Sequence, residues 1–292
     1  MNPAVTAAIW MSGAIVSFSS MAVAGRAVSL DLDTFEIMLY RSLIGLVIVL
    51  AVATAAGSLG QITRRSMGLH LLRNVSHFTG QNLWFYAITV VPLAQVFALE
   101  FTSPLWAMVL SVVVLGERLT RTRVLTGILG FAGILIVARP GPDTISLGLI
   151  CAAVAAIGFA GSAVFTRRLT RTETITCILF YLTAMQAVLG LVCAALDGEV
   201  TLPAAASVPW LALIACAGLL AHLCLTKALS IAPASVVMPI DFIRLPVIAV
   251  VGALVYAEAL DPYVFAGAAI IFAANYMNIR RETRPDPARR AS

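Results

Sequence analysis

The sequence predicts an all-α membrane protein: ten transmembrane helices arranged as two inverted five-helix repeats around a central cavity. Three observations carry this prediction. The first is composition. Of 292 residues, 61% are hydrophobic and only 11% are charged, whereas a soluble domain carries about 25% charged residues. A water-soluble fold of this size could not hide so much apolar surface, so the solvent must be lipid. The second is a succession of apolar runs of spanning length. The third is a constant offset that lays the second half of the chain on the first.

The runs fall at 4–29, 33–57, 67–90, 93–115, 121–138, 145–168, 174–196, 207–230, 234–257 and 262–280. Each is close to the roughly 20 residues that a helix needs to cross a bilayer. Turn chemistry or charge separates them: Asp31-Leu32-Asp33, Arg64-Arg65, Val91-Pro92, Glu117 to Arg123, Arg139-Pro140-Gly141-Pro142, Arg167 to Arg171, Asp197-Gly198-Glu199, Ala232-Pro233 and Asp261-Pro262. The repeats are then 1–138 and 142–280, and residues 281–292 read as a polar, disordered cytoplasmic tail. No loop is long enough for a second domain.

The first Arg or Lys is Arg26, so the apolar start lacks the basic region of a signal peptide although Ala22-Val23-Ala24 fits a cleavage pattern. With the N-terminus inside, the inner loops and tail hold thirteen of the nineteen Lys and Arg residues and the outer loops hold only Arg26 and Arg139. That bias predicts both termini on the cytoplasmic side of a bacterial inner membrane. The arginines lie in short clusters between apolar runs, which is not a nucleic-acid-binding face despite the net charge of +5. The five cysteines lie inside apolar runs without CxxC spacing and read as small packing residues.

An offset of 141 residues places Phe18 on Phe159, Arg26 on Arg167, Tyr40 on Tyr181, Pro92 on Pro233, Glu100 on Asp241 and Glu117 on Glu258. One gapless offset runs from the first span to the last. Five is an odd number of spans, so the second copy enters from the opposite face, the inverted construction common in secondary transporters.

The fourth and fifth spans read Pro104-Leu105-Trp106, Leu115-Gly116-Glu117-Arg118-Leu119-Thr120, and then Gly127, Gly130 and Gly133. This resembles the EamA-type pattern of the drug/metabolite transporter superfamily. The second copy, from Pro246 through Ala257-Glu258-Ala259-Leu260 to Gly267, has Ala257 in place of the glycine. The resemblance implies export or exchange of small metabolites through a cavity between the halves. Length and the polar third span are most similar to the YddG-type amino-acid exporters, which implies amino acids, aromatic or otherwise apolar, as substrates.

Ionisable groups in a bilayer are expensive and mark function or pairing. In the third span Arg73, His77, Gln81 and Trp84 share one helical face. His77, Gln81 and Trp84 read as cavity lining, or else as a hydrogen-bond network between helices. Glu100 and Asp241 are a matched acid pair, each about 11 to 12 Å from the surface at which its span starts. Arg244 follows Asp241 at i+3, placed to neutralise it. These charges read either as ion pairs that set helix register or as anchors for a zwitterion. The recurrent aromatics Phe18, Phe159, Tyr40 and Tyr181, with Met238, complete the candidate substrate lining. Glu117 and Glu258 sit where the helix dipole disfavours an acid, which calls for a partner: a neighbouring helix N-terminus or a loop Arg such as Arg118 or Arg121. The glycines at 127, 130 and 133 suit packing within the bundle or a contact with a second copy of the chain. Pro104, Pro239 and Pro246 lie inside spans as bending points.

HExxH, GxSxG and GxxxxGK[ST] are absent, and His70, His77 and His222 show no metal-ligand spacing. The reading is therefore a transporter of a small molecule in lipid, with no cofactor, no metal and no catalytic residue. A facilitative channel or an exporter of another metabolite or drug is the alternative.

Overall fold

The computed structural model describes residues 3–29, 31–116, 121–138, 146–196, 200–233, 236–237, 240–259 and 261–282. The helices are α1 (Pro3–Val28), α2 (Thr34–Ala55), α3 (Met67–Val90), α4 (Leu93–Glu100), α5 (Ser103–Leu115), α6 (Arg121–Ala138), α7 (Leu147–Leu169), α8 (Ile175–Ala194), α9 (Val208–Ile231), α10 (Arg244–Tyr256) and α11 (Pro262–Glu282). No strand occurs among the described residues. Among the described residues six spans are long and apolar enough to cross a membrane by length and composition: α1, α2, the stretch Leu93–Leu115, α7, α8 and α9. Met238, Glu117, Arg118, Arg139, Pro239 and most of the C-terminal tail lie outside the described residues.

Local chemistry sets the helix starts. Asp33 caps α2 through Glu36 N–H at 2.7 Å, and the Glu36 side chain accepts from Asp33 N–H at 3.0 Å, a complete capping box. The hydroxyls of Ser146 and Thr174 cap α7 and α8.

The continuous run expected over 93–115 is two helices. The chain breaks at Phe101 and Thr102 between α4 and α5. Pro104 lacks an N–H for the Glu100 carbonyl four residues back, and its ring crowds that carbonyl. The turn is repaired by i−3 bonds, Thr102 N–H to Leu99 O and Leu105 N–H to Thr102 O. The run expected over 234–257 is interrupted in the same place: a 3₁₀ turn at Asp241–Ile243 precedes α10, and Pro246 removes the bond to the Phe242 carbonyl. Both breaks thus fall at the matched acids.

The most extensive helix packing joins the two halves of the chain: α1 with α9, α3 with α7, α6 with α11, and α2 with α8. Exchanging the halves by the 141-residue offset turns the α1–α9 pair into the α7–α3 pair and maps the other two pairs onto themselves. Hydrogen bonds follow the same offset. Arg26 donates to the Ile88 carbonyl at the end of α3, and Arg167 donates to the Leu229 carbonyl at the end of α9. Gly116 after α5 and Ala257 after α10 both adopt left-handed backbone, at φ 68° and 53°, and both caps donate N–H to the residue five back, Ser111 and Gly252. A left-handed alanine costs on the order of 1–2 kcal/mol relative to glycine. Ala257→Gly should therefore raise stability by about 1 kcal/mol, seen as a higher thermal unfolding midpoint of the purified protein.

Glu258 takes its partners from the first half. It pairs with Arg26 at 2.5 Å and accepts from Leu93 N–H at the start of α4. Of the partners expected, a helix N-terminus therefore holds it, and Arg26 joins that N-terminus. Of the three glycines singled out in α6, Gly130 has nothing within 4 Å of a would-be Cβ. A close helix approach is at Gly80 and Gly158, where α3 and α7 cross backbone to backbone: a Cβ on Gly158 would meet Ser76 O at 2.7 Å and Gly80 Cα at 2.8 Å. Small residues at such crossings let dispersion contacts accumulate where no hydrophobic drive exists between lipid-solvated helices.

Candidate functional site

The α3–α7 crossing presents one face of each helix to a cavity of about 620 Å³. Its wall holds Phe18 and Met21 from α1, Arg73, His77, Gln81 and Trp84 from α3, Glu100 and Ser103 at the first break, and Phe159, Ser162, Ala163 and Thr166 from α7. His222, Leu225 and Thr226 from α9 and Asp241 and Arg244 at the second break complete it. Six pairs in this wall are related by the 141-residue offset: Phe18 and Phe159, Met21 and Ser162, Gln81 and His222, Trp84 and Leu225, Glu100 and Asp241, Ser103 and Arg244.

The two breaks meet at one guanidinium. Arg244 Nη2 donates to Glu100 Oε1 and, at 2.6 Å, to Asp241 Oδ2. The two acids, each expected about 11 to 12 Å from the surface at which its span starts, thus share one nitrogen. Trp84 Nε1 donates to the other Glu100 oxygen at 2.7 Å. The Arg244 guanidinium also lies over the rings of Phe18, Phe97 and Phe101, at 4.9, 4.9 and 5.5 Å from their centroids. The cluster links α3, α4 and α10 across the halves. With all three groups ionised it carries one surplus negative charge.

In the same cavity His77 and His222 meet edge to face at 4.6 Å, with Phe159 at 6.1 Å from His77 and Phe18 at 5.6 Å from His222. The buried atoms His77 Nε2, His222 Nε2 and Gln81 Nε2 make no hydrogen bond among the described residues. Buried polar groups are normally satisfied, so these three are available to a polar ligand or to water.

Tyr40 and Tyr181 lie away from this cavity. The Tyr40 hydroxyl donates to the Thr201 carbonyl at 2.7 Å, and the ring of Tyr181 packs on His70 at 4.5 Å. Each phenol sits near a helix end, where a polar partner is within reach of the hydroxyl or ring edge. Beside Tyr181, Glu173 in the α7–α8 turn accepts from Thr63 and Ser66 hydroxyls at 2.8 and 2.7 Å. Burial pushes the Glu173 carboxyl up, and these hydroxyls outweigh it, holding the group below its usual value. His70, Glu173 and Cys177 each place a ligand atom within 4.8 Å of the others, a grouping that histidine spacing alone did not suggest. Both Glu173 oxygens are already engaged by hydroxyls, so the trio reads as a tie between the α7–α8 turn and the start of α3.

His222, Ser162, Thr166, Ser103 and Thr226 were not anticipated as lining. The signal was present in the offset: Gln81 maps to His222 and Arg244 to Ser103. A search for identical matches passes over such pairs because the position recurs while the residue does not.

A bundle of apolar helices in two related halves, with discontinuous helices meeting at a polar cavity, defines a membrane transporter. The chain belongs to the EamA-like transporter family, whose pattern matches residues 5–139 and 146–280. It is similar to a riboflavin transporter of Brucella anthropi, 33% identical over 85% of this chain and 88% of that one. It is similar also to an S-adenosylmethionine uptake transporter of Rickettsia bellii, 25% identical over 94% of each chain, and to a pseudopaline exporter of Pseudomonas aeruginosa, 27% identical over 88% and 90%. A crystal structure with 17% identity superimposes with a TM-score of 0.73 over 96% of this chain and 99% of the other, which shows the shared fold. The chain is a multi-pass membrane transporter and not an enzyme.

Proposed function

We propose that the chain is a secondary transporter that works by alternating access between two inverted five-helix halves and exports small amphipathic metabolites, amino acids with aromatic or apolar side chains foremost. It resides in a bacterial inner membrane with both termini cytoplasmic. The observation that carries this reading is the cavity at the meeting of the halves. Its wall combines the rings of Phe18, Trp84 and Phe159 with the unsatisfied nitrogens of His77, Gln81 and His222 and the charges of Glu100, Asp241 and Arg244. Rings accept an apolar body and a few polar groups fix its orientation. The exchange symmetry of helix packing supports inversion, and the breaks at Glu100 and Asp241 supply discontinuous helices at the site. The relatives' names include an uptake transporter and an exporter, so they support transport in either direction.

A second reading, a flavin-like substrate, is favoured by the riboflavin transporter relative. Uptake of labelled tryptophan, phenylalanine, riboflavin and S-adenosylmethionine into proteoliposomes separates the two. The first reading expects saturable amino-acid uptake that falls at least about tenfold in Gln81→Ala, about 1.4 kcal/mol of lost binding. Riboflavin uptake without amino-acid uptake establishes the second, and uptake of none of the four overturns both.

A further inference from the structure

Two guanidinium groups beside the His77–His222 pair have no acid to neutralise them among the described residues. Arg73 on α3 is 2% exposed and Arg41 on α2 is 6% exposed. Ion pairs among the described residues join Arg26 with Glu258 and Arg244 with Glu100 and Asp241. Neither Arg41 nor Arg73 takes part in one.

Neutral groups hold Arg73 in place. Its Nε donates to Thr166 Oγ1 at 3.3 Å and its Nη1 to Asn74 Oδ1 at 3.0 Å. Asn74 is itself fixed by Gln186 and by the His70 carbonyl. This leaves Arg73 Nη2 in the cavity wall without a hydrogen bond among the described residues. Among the described residues Arg41 has only Met21 Sδ, at 3.6 Å, and it lies against Gly218, where a Cβ would stand 3.6 Å from its Nη1. Arg41 lines a smaller pocket of about 280 Å³, and His222 stands in the wall of both that pocket and the main cavity. The two arginines and the two imidazoles are within electrostatic reach of one another.

Burying one unpaired cation costs several kcal/mol, and a second like charge nearby adds to it. An oxyanion between them offsets both, and the guanidinium fork matches carboxylate and phosphate geometry. Arg244 cannot serve this purpose, because two carboxylates already neutralise it. We propose that Arg73, backed by Arg41 and faced by the Nε2 atoms of His77 and His222, forms an oxyanion subsite that takes the ionised carboxylate or phosphate of the transported molecule. The inference rests on the reading of this cavity as the substrate site. It assigns the anionic end of a zwitterion to Arg73 and leaves the Glu100–Asp241 side for its cationic end.

Equilibrium binding of labelled probes to the detergent-purified chain tests it by separating charge from the ring that carries it. One pair is indole-3-acetate against indole-3-acetamide, and the other is flavin mononucleotide against riboflavin. In at least one pair the anionic member should bind about tenfold tighter or better, and the pair that shows this reports whether carboxylate or phosphate is preferred. Arg73→Gln should bring that preference within about twofold, and Arg73→Lys, which keeps the charge, should retain most of it. Arg41→Gln leaves the Thr166 and Asn74 bonds intact and should lower the preference about threefold or more. Equal or absent binding of both members of both pairs by the wild type, or a preference that survives both Gln variants, overturns the subsite. Because the readout is binding, anion preference without transport would count against the transporter reading alone.

Discussion

Arg244→Gln should leave little folded protein. The substitution strands Glu100 and Asp241 at two helix breaks with no cation bonded to either, and removing one partner of a buried pair costs on the order of 3–5 kcal/mol. The loss also frees the three rings of Phe18, Phe97 and Phe101 from the guanidinium that they surround. Neutralising all three positions at once, as Glu100→Gln, Asp241→Asn and Arg244→Gln, should recover most of the thermal stability, because no uncompensated charge remains. Transport measured on the triple variant separates the two roles open to the cluster. Recovered folding with recovered transport assigns it to joining α4 and α10. Recovered folding without transport assigns it to substrate contact or to gating.

Gly158→Val should be as damaging, through sterics alone. A Cβ there meets the Ser76 carbonyl and the Gly80 backbone below 3 Å, and neither can rotate away. Overpacking of this kind costs about 1–3 kcal/mol or more. Here it also drives α3 from α7, moving His77 and Gln81 relative to Phe159 and Ser162. Size-exclusion chromatography of the detergent-purified variant should show aggregated or absent protein, and Gly158→Ala should lower the unfolding midpoint by several degrees. Gly130→Ala, in the stripe that the sequence pattern singled out, meets nothing within 4 Å and should leave the midpoint unchanged.

That contrast shows where sequence reading reaches its limit. Helix positions were legible because lipid imposes long apolar runs: the boundaries of α3 and α6 match those expected, 67–90 and 121–138. The breaks at Phe101 and Asp241 were not, because hydropathy does not register which backbone carbonyl loses its donor to Pro104 or Pro246. The offset matched Glu100 with Asp241, and helix rise gave each a depth, but neither carries a lateral position in the bundle, so the convergence of both acids on Arg244 was invisible. For the same reason it could not separate Phe18 and Phe159, which line the cavity, from Tyr40 and Tyr181, which do not. Glycine spacing reports that a face is small, and only the neighbouring backbone shows that Gly80 and Gly158 are in contact. Arg73 stood on the polar face of α3 from the start, and only the placement of its neighbours shows that it has no acid partner among the described residues.

In an alternating carrier a substrate site between the halves is exposed to one side of the membrane at a time. Counterflow tests it most directly, using whichever of tryptophan, phenylalanine, riboflavin or S-adenosylmethionine the proteoliposomes take up. Vesicles preloaded with unlabelled substrate should accumulate external label transiently above its equilibrium level, because an alternating carrier returns loaded. Label that only equilibrates, at a rate indifferent to the internal load and linear in concentration, would contradict the account and identify a channel.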